Sequence, residues 1–366
     1  MNTQCADNRG NLPGWALGPF YRSNQDNPIL RPDKELSFSC PLRKKPVEWA
    51  ALHVFNPAAV VKDGEVNLLY RAEDANGDMK VGGHTSRIGL TWSSDGIHFT
   101  KKRSEPVLYP DEDGQKSREW PTGCEDPRIV MREDGLFIMT YTQSTGWHEE
   151  EAKWSGHLGV ATSLDLVHWK KLGPAFANNE GFEICDRAGS IVCRQDGERF
   201  IAVKIDGCYW MYWHNGTNGV TYAAKSNDLL SWTPVRDASG ALLPILSLRR
   251  GYFDSGLVEP GPQAILRKEG ILLLYNGANS ENPQDADPSL SPGAYSSGQA
   301  LFDKNNPARE LARLDHPFLV PSEAYEKVGQ CACECIFIEG LVYYKGQYLL
   351  YYGGTDAVIG VATCAS

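Results

Sequence analysis

Gly64-Glu65-Val66-Asn67-Leu68-Leu69-Tyr70 sets a turn glycine, a short apolar run and a closing tyrosine in one stretch, and the arrangement returns four more times along the chain. The other copies are Gly135…Tyr141, Gly207…Tyr212, Gly270…Tyr275 and Gly346…Tyr351, with successive tyrosines 71, 71, 63 and 76 residues apart. A polar residue precedes each glycine (Asp63, Asp134, Asp206, Glu269, Lys345), which is the chemistry of a tight hairpin turn. A period of this size fits one four-stranded propeller blade plus generous loops. The expected fold is therefore all-β, a five-bladed β-propeller.

A second pattern interleaves with the first: Ser94-Asp95-Gly96-Ile97-His98-Phe99, Ser163-Leu164-Asp165-Leu166-Val167-His168-Trp169 and Ser226-Asn227-Asp228-Leu229-Leu230-Ser231-Trp232. Each follows a strand-like run such as Ile88-Gly89-Leu90-Thr91-Trp92, and the last run, Ile359-Gly360-Val361-Ala362-Thr363, resembles that strand without the turn. The N-terminal region is then expected to help close the ring. Residues 1–48 read as an extension packing on the propeller, and residues 49–366 as the propeller itself.

The chain has 366 residues, a length that a repeat array can hold in one domain. Its formal charge of −10, with 46 Asp and Glu against 36 Lys and Arg, argues against nucleic acid as a partner. No apolar run reaches membrane-spanning length, and Met1 to Gly18 lacks the segments of a signal peptide, so no membrane partner and a cytoplasmic location are expected unless a leader was removed. Cys331, Cys333 and Cys335 alternate as on one face of a strand, but no His-rich or CxxC partner accompanies them, so they read as buried free thiols with no metal. The segments Ser104 to Thr122, Gln143 to Ser155 and Asn279 to Arg313 read as long exposed loops. Whether the chain forms a homo-oligomer stays open.

The first strand of each blade should line the central funnel. Counting back from the tyrosines reaches Phe55-Asn56-Pro57, Glu125-Asp126-Pro127-Arg128, Glu259-Pro260-Gly261-Pro262 and Glu334-Cys335-Ile336-Phe337, with Asp186-Arg187-Ala188-Gly189-Ser190 in the irregular third blade. Any one of these starts is ordinary turn chemistry. Together they place Asn56, Asp126, Glu259 and Glu334 around one axis, where mutual repulsion would raise at least one carboxyl pKa. Paired carboxylates with 10 Trp, 16 Tyr and 12 Phe point to carbohydrate, although propeller cores also consume aromatic residues. Trp120, Trp210 and Trp213 are the rings expected near the site, and Arg71 and Asp356 the expected charged contacts to sugar hydroxyls.

The chain resembles glycoside hydrolase family 130 from Asn27-Pro28-Ile29-Leu30 onward. The residues that carry the likeness are Phe55-Asn56-Pro57-Ala58, Leu68-Leu69-Tyr70-Arg71, Gly123-Cys124-Glu125-Asp126-Pro127-Arg128, Lys204-Ile205-Asp206-Gly207 and Tyr351-Tyr352-Gly353-Gly354-Thr355-Asp356. The resemblance implies a five-bladed propeller acting on β-mannosides, with Asp126 as catalytic acid and Asn56, Arg71 and Asp356 holding mannose in the −1 subsite. Glu125, Arg128, Lys204, Trp213, His214 and Glu334 complete the expected substrate-binding set. Hydrolases and phosphorylases of the family both invert the anomeric centre, and differ in whether water or phosphate attacks. No cofactor is implied, and inorganic phosphate is a co-substrate only in the second case.

Where the phosphorylases have a His-Arg pair this chain has Trp213-His214, which leaves a phosphate clamp incomplete. Glu259 resembles a hydrolase acid, and an inverting hydrolase needs such a base about 6.5 to 9.5 Å from its acid. The leading expectation is an exo-acting inverting β-mannosidase for β-1,2-linked mannosides, Asp126 giving the proton and Glu259 activating water. A phosphorylase releasing mannose 1-phosphate, its clamp built from Arg187, Lys204 and His214, is the alternative. A non-catalytic mannoside-binding propeller ranks third.

Overall fold

Each glycine-to-tyrosine stretch lies on the second strand of an antiparallel meander, and five meanders follow one another along the chain. The computed structural model describes residues 12–77, 83–148, 153–179 and 184–365, so residues 1–11 of the expected extension lie outside the described residues. Among them, helical structure is limited to Lys116–Glu119 and the 3-10 turn Ala324–Glu326, and no helix is long and apolar enough to cross a membrane.

The first meander runs His53–Lys62, Glu65–Gly77, His84–Ser93, Lys101–Lys102, and the second Gly123–Met131, Phe137–His148, Lys153–Ser163, Lys170–Pro174. The third runs Asp186–Asp196, Cys208–Asn215, Val220–Ser226, Thr233–Pro234, with the short strand Arg199–Ala202 inserted after its first member. The fourth begins with Leu257–Pro260 and Ala264–Leu266 in line, then Ile271–Ala278, Tyr295–Phe302 and Glu310–Arg313. The fifth is Ile336–Tyr344, Gln347–Gly354 and Val358–Ala365, and its fourth strand is Tyr21–Arg22, so residues from both ends of the chain share one sheet. Two of the expected loops are partly strand, since Gln143–His148, Lys153–Ser155, Tyr295–Phe302 and Glu310–Arg313 all pair.

The local chemistry explains the recurrence. At Asp63-Gly64, Asp206-Gly207 and Lys345-Gly346 both turn residues have positive φ (54° and 74°, 48° and 79°, 48° and 84°), the two-residue type I′ geometry that matches strand twist. The tyrosines persist because each covers a small residue on the third strand. Tyr70 faces Gly89, Tyr141 faces Gly159, Tyr212 faces Ala223 and Tyr275 faces Gly298. A Cβ at Gly298 would sit 2.3 Å from the Tyr275 ring, so the ring takes the glycine's place in the sheet surface. In the fifth meander Tyr352, one residue past the tyrosine of the repeat, does this against Gly360. The Ser-Asp pattern is an Asx turn ending the third strand. Asp95 Oδ1 accepts from the backbone of Ile97 and His98 at 2.9 and 2.8 Å, and Asp165 and Asp228 repeat the pair of bonds.

The first strands of the fifth, first, second, third and fourth meanders touch in that order, and the fourth meander meets the fifth through its second and third strands, so the contacts run in a closed circuit through all five. Apolar clusters fill the spaces between neighbouring sheets; one holds Leu69, Ile88, Ile129, Met139 and Tyr141 between the first two. Trp210 and Trp213 belong to such clusters and are buried, Trp213 stacking 5.2 Å from Tyr222. They serve the fold, not a site for sugar. Trp120 is half-buried beneath the Arg43 guanidinium at 5.2 Å.

Candidate active site

The inner strands of the first, second, third and fifth meanders each slip register about midway. The shifts fall between Phe55 and Pro57, Glu125 and Arg128, Arg187 and Ser190, and Ile338 and Gly340; the fourth inner strand breaks after Pro260. A bulge re-aims the side chain it carries, and Asn56, Asp126 and Ala188 sit there at positive φ of 45°, 49° and 57°. Proline follows both Asn56 and Asp126, removing an amide donor where the ladder is interrupted.

These bulges bring Asn56, Arg71, Glu125 and Asp126 together. Asn56 Nδ2 donates to Asp126 Oδ1 at 3.0 Å and Arg71 NH1 donates to the same oxygen at 3.2 Å. Asp126 Oδ2 accepts from no described residue, and Asp126 keeps 8% of its surface exposed, so this oxygen is the one available to a ligand. Arg71 also donates to Glu73 Oε1 and Ser86 Oγ, both at 2.9 Å, and lies 3.2 Å from Glu125 Oε1 with its plane 4.6 Å over the Phe55 ring. One cation thus faces three carboxylates, and Asp356, on the positive-φ turn after Gln347–Gly354, is near enough to feel its charge.

The charges respond in opposite directions. Burial pushes the Glu125 carboxyl up to about 7 against the pull of Arg71, and burial followed by negative charge on the Cys331 sulfur pushes Asp356 up to about 8. Glu73, just as buried, is instead drawn down to about 2, because Arg71 and the His53 hydrogen bond outweigh its desolvation. Burial likewise raises Glu259 to about 7; Arg187 and Arg128 oppose this and the Asp126 charge adds to it. Desolvation is therefore the leading cause of the three upward shifts and carboxylate repulsion a smaller one.

That raised carboxyl has a measurable cost. A glutamate held at about 7 in the fold and 4.5 when unfolded contributes fully below pH 4.5 and loses stability as pH rises through 7, a difference of about 3 kcal/mol at pH 8. Glu259→Gln is expected to resist denaturant better than the wild type at pH 8 and equally at pH 4. A variant less stable than wild type at pH 8 would contradict this reading of Glu259.

The other expected residues divide. Arg187 is held up against burial by Cys185 first and then by the Glu259 and Glu125 charges; its NH2 donates to Cys185 Sγ at 3.4 Å, and its Nε is buried without a partner among the described residues. His214 Nδ1 lies 3.0 Å from the Val258 carbonyl, and burial followed by Arg187 drives the imidazole down to about 3, so it is neutral. Lys204 is not at the site. It pairs opposite Tyr209, while Arg187 pairs opposite His214 on the same neighbouring strand, five residues and roughly 16 Å away; Lys204 is exposed over the Tyr209 ring. Trp213 is core, as described above. Arg128 is 3% exposed and its guanidinium is taken up by the Asp126, Pro260 and Gly261 carbonyls and by Glu339, which leaves it no substrate-facing fork.

Glu334 does not occupy the fifth inner strand, which starts at Ile336; its carbonyl accepts from the Tyr295 amide. The acid on that strand is Glu339, 1% exposed, at the bulge and 3.4 Å from Arg128. Counting back from Tyr351 overshot because the bulge sits only twelve residues before the tyrosine. The Glu-Gly pair at 339–340 inside an apolar run was the available signal. Cys331 and Cys333 lie in the loop before this strand with their sulfurs 2.7 Å apart, half-buried and not in alternation on a strand; Cys335 alone of the three is buried.

A family model described as beta-1,4-mannooligosaccharide phosphorylase, Glyco_hydro_130, matches residues 20–366. The curated 1,2-beta-oligomannan phosphorylase of Thermoanaerobacter sp. (strain X514) is 31% identical over 337 residues, covering 92% of this chain and 94% of its own. The beta-1,2-mannobiose phosphorylase of Listeria innocua is 28% identical over 86% of this chain and 80% of its own. A solved structure described as "The GH130 family of mannoside phosphorylases contains glycoside hydrolases that target beta-1,2 mannosidic linkages in Candida mannan" superposes with a TM-score of 0.90 at 44% identity, covering 97% of this chain and 98% of its own.

Proposed function

The chain belongs to glycoside hydrolase family 130, among its β-1,2-mannoside enzymes, and from that premise we propose that it cleaves β-1,2-linked mannosides with inversion. The five meanders are read as the blades of a five-bladed propeller, and the residues before position 49 as an extension lending its last blade one strand. Asp126 donates the proton to the departing sugar, relayed through the O3 hydroxyl of the −1 mannose. Asn56, Arg71 and Asp356 hold that mannose, and their hydrogen bonds strengthen as its ring flattens toward the oxocarbenium-like transition state.

The attacking group is the finer question. Both curated relatives carry phosphorylase names, and on names alone phosphate is the better-backed acceptor. The solved structure at 44% identity is described in terms of a family of mannoside phosphorylases that contains hydrolases, and the geometry of this chain favours water for one reason. A phosphate clamp converges several cations, and of the three expected here Lys204 pairs at the far end of Cys208–Asn215 from His214 and His214 is neutral, which leaves Arg187, within reach of the Glu259 charge. A carboxylate and a phosphate dianion repel each other, whereas a carboxyl near 7 suits a base that deprotonates water. Hydrolysis is thus our reading, and phosphorolysis stands second on the strength of the relatives.

Product analysis on β-1,2-mannobiose decides between them. Free mannose as the α-anomer, formed at the same rate with and without 10-fold excess phosphate, is the expected result. Mannose 1-phosphate as product, with no turnover in phosphate-free buffer, would establish the second reading.

A further inference from the structure

Arg128 spans three inner strands. It leaves its own strand just after the bulge, donating from NH1 to the Asp126 carbonyl at 3.3 Å, and crosses to the fourth meander, where Nε donates to Gly261 O and NH2 to Pro260 O, both at 2.8 Å. Those two carbonyls directly follow Glu259. From the fifth meander Glu339 brings Oε1 to within 3.4 Å of NH1, while its Oε2 is buried without a partner among the described residues. Nothing in the proposed chemistry uses either side chain, yet a guanidinium and a carboxyl are buried at 3% and 1% exposure between the acid and the base. Burying such groups is costly unless their geometry is held.

We propose that Arg128 and Glu339 are a positioning couple that fixes the gap between the Asp126 and Glu259 carboxyls, and with it the room for the attacking molecule. The planar fork suits this task because it holds two backbone carbonyls in fixed directions, which a lysine ammonium does not. Glu339 closes the fork from the third side. The groups facing Glu339 are Arg128 and Asp126 from the second meander, Glu259 from the fourth and Arg71 from the first, so three carboxyls share two guanidinium charges. Burial raises Glu339 well above the usual carboxylate range, which supports its acting as a neutral acid whose role is hydrogen bonding.

The inference rests on Asp126 and Glu259 being acid and base, and the variants separate the two claims. Arg128→Lys keeps the charge and loses the fork; kcat on β-1,2-mannobiose should fall about 10- to 100-fold with KM within about twofold of wild type. Glu339→Gln keeps shape and hydrogen bonding without charge, and should stay within about threefold of wild type in both constants, whereas Glu339→Ala should behave as Arg128→Lys does. Circular dichroism and thermal melting identify any variant that fails to fold, and the folded members of the set still decide the matter. Wild-type kcat in folded Arg128→Lys, a KM effect with kcat intact, or a tenfold kcat loss in folded Glu339→Gln would each overturn the couple. If Asp126→Asn turns over normally, the acid assignment fails first, whatever Arg128 does.

Discussion

Asp126→Asn should reduce kcat on β-1,2-mannobiose by about 10³-fold or more, with the protein folded and its melting temperature within a few degrees of wild type. General acid catalysis is worth about 10² to 10⁴ in rate, and a mannose leaving group cannot depart as an alkoxide. The substitution is conservative where the fold is concerned. Asp126 Oδ1 accepts both bonds that hold the side chain, from Asn56 Nδ2 and Arg71 NH1, and an asparagine Oδ1 can accept the same two. The loss should shrink by at least tenfold on an activated aryl β-mannoside, whose leaving group needs no proton. Near-normal turnover of mannobiose would remove Asp126 from the mechanism, and an equal loss on both substrates would assign it to binding.

Replacing Arg71 with methionine should cost the fold about 3 to 5 kcal/mol at pH 8 and raise KM at least 10-fold. The stability loss arises because Glu73, Glu125 and Asp126 would keep their burial without their cation. Its pH dependence has a definite sign. In the wild type Glu73 is held at about 2, below its unfolded 4.5, so the stability it contributes is present above pH 4.5 and lost as pH falls through 2. The variant forfeits that stability and its orphaned carboxyls take up protons, so the gap between wild type and Arg71→Met should narrow from pH 8 to pH 4. Urea unfolding at the two pH values measures it. An equal deficit at both would show that lost packing against Phe55, 4.6 Å away, outweighs lost charge.

The strand repeat was legible in the sequence because hairpin turns and cross-strand pairs are local. Asp63-Gly64 announces a type I′ turn without reference to anything distant, and Tyr70 recurs because a glycine 19 residues later needs covering. Asn56 and Asp126 came within reach by counting back from that repeat, and Arg71 because it directly follows the tyrosine of the first copy. Lys204 and Trp213 were misplaced because adjacency along a strand says nothing of which end or face a side chain takes. A one-residue step reverses the face, and the inserted strand Arg199–Ala202 upset the count in the third meander. Glu339 escaped because its partner Arg128 is 211 residues away, and the other groups that face it come from the first and fourth meanders as well as the second.

The sheet shared by Tyr21–Arg22 and Val358–Ala365 bears on how the molecule is made. Tyr21 pairs with Thr363, so this strand waits for a partner made 342 residues later. At ribosomal rates of about 5 to 20 residues per second that interval is roughly 17 to 70 s. Throughout it four meanders can form while the ring stands open, with the inner strands at its two edges unmatched. Closure then falls after synthesis of the last sheet, and a nascent chain stalled before residue 358 would hold an open ring however well its first four meanders had folded.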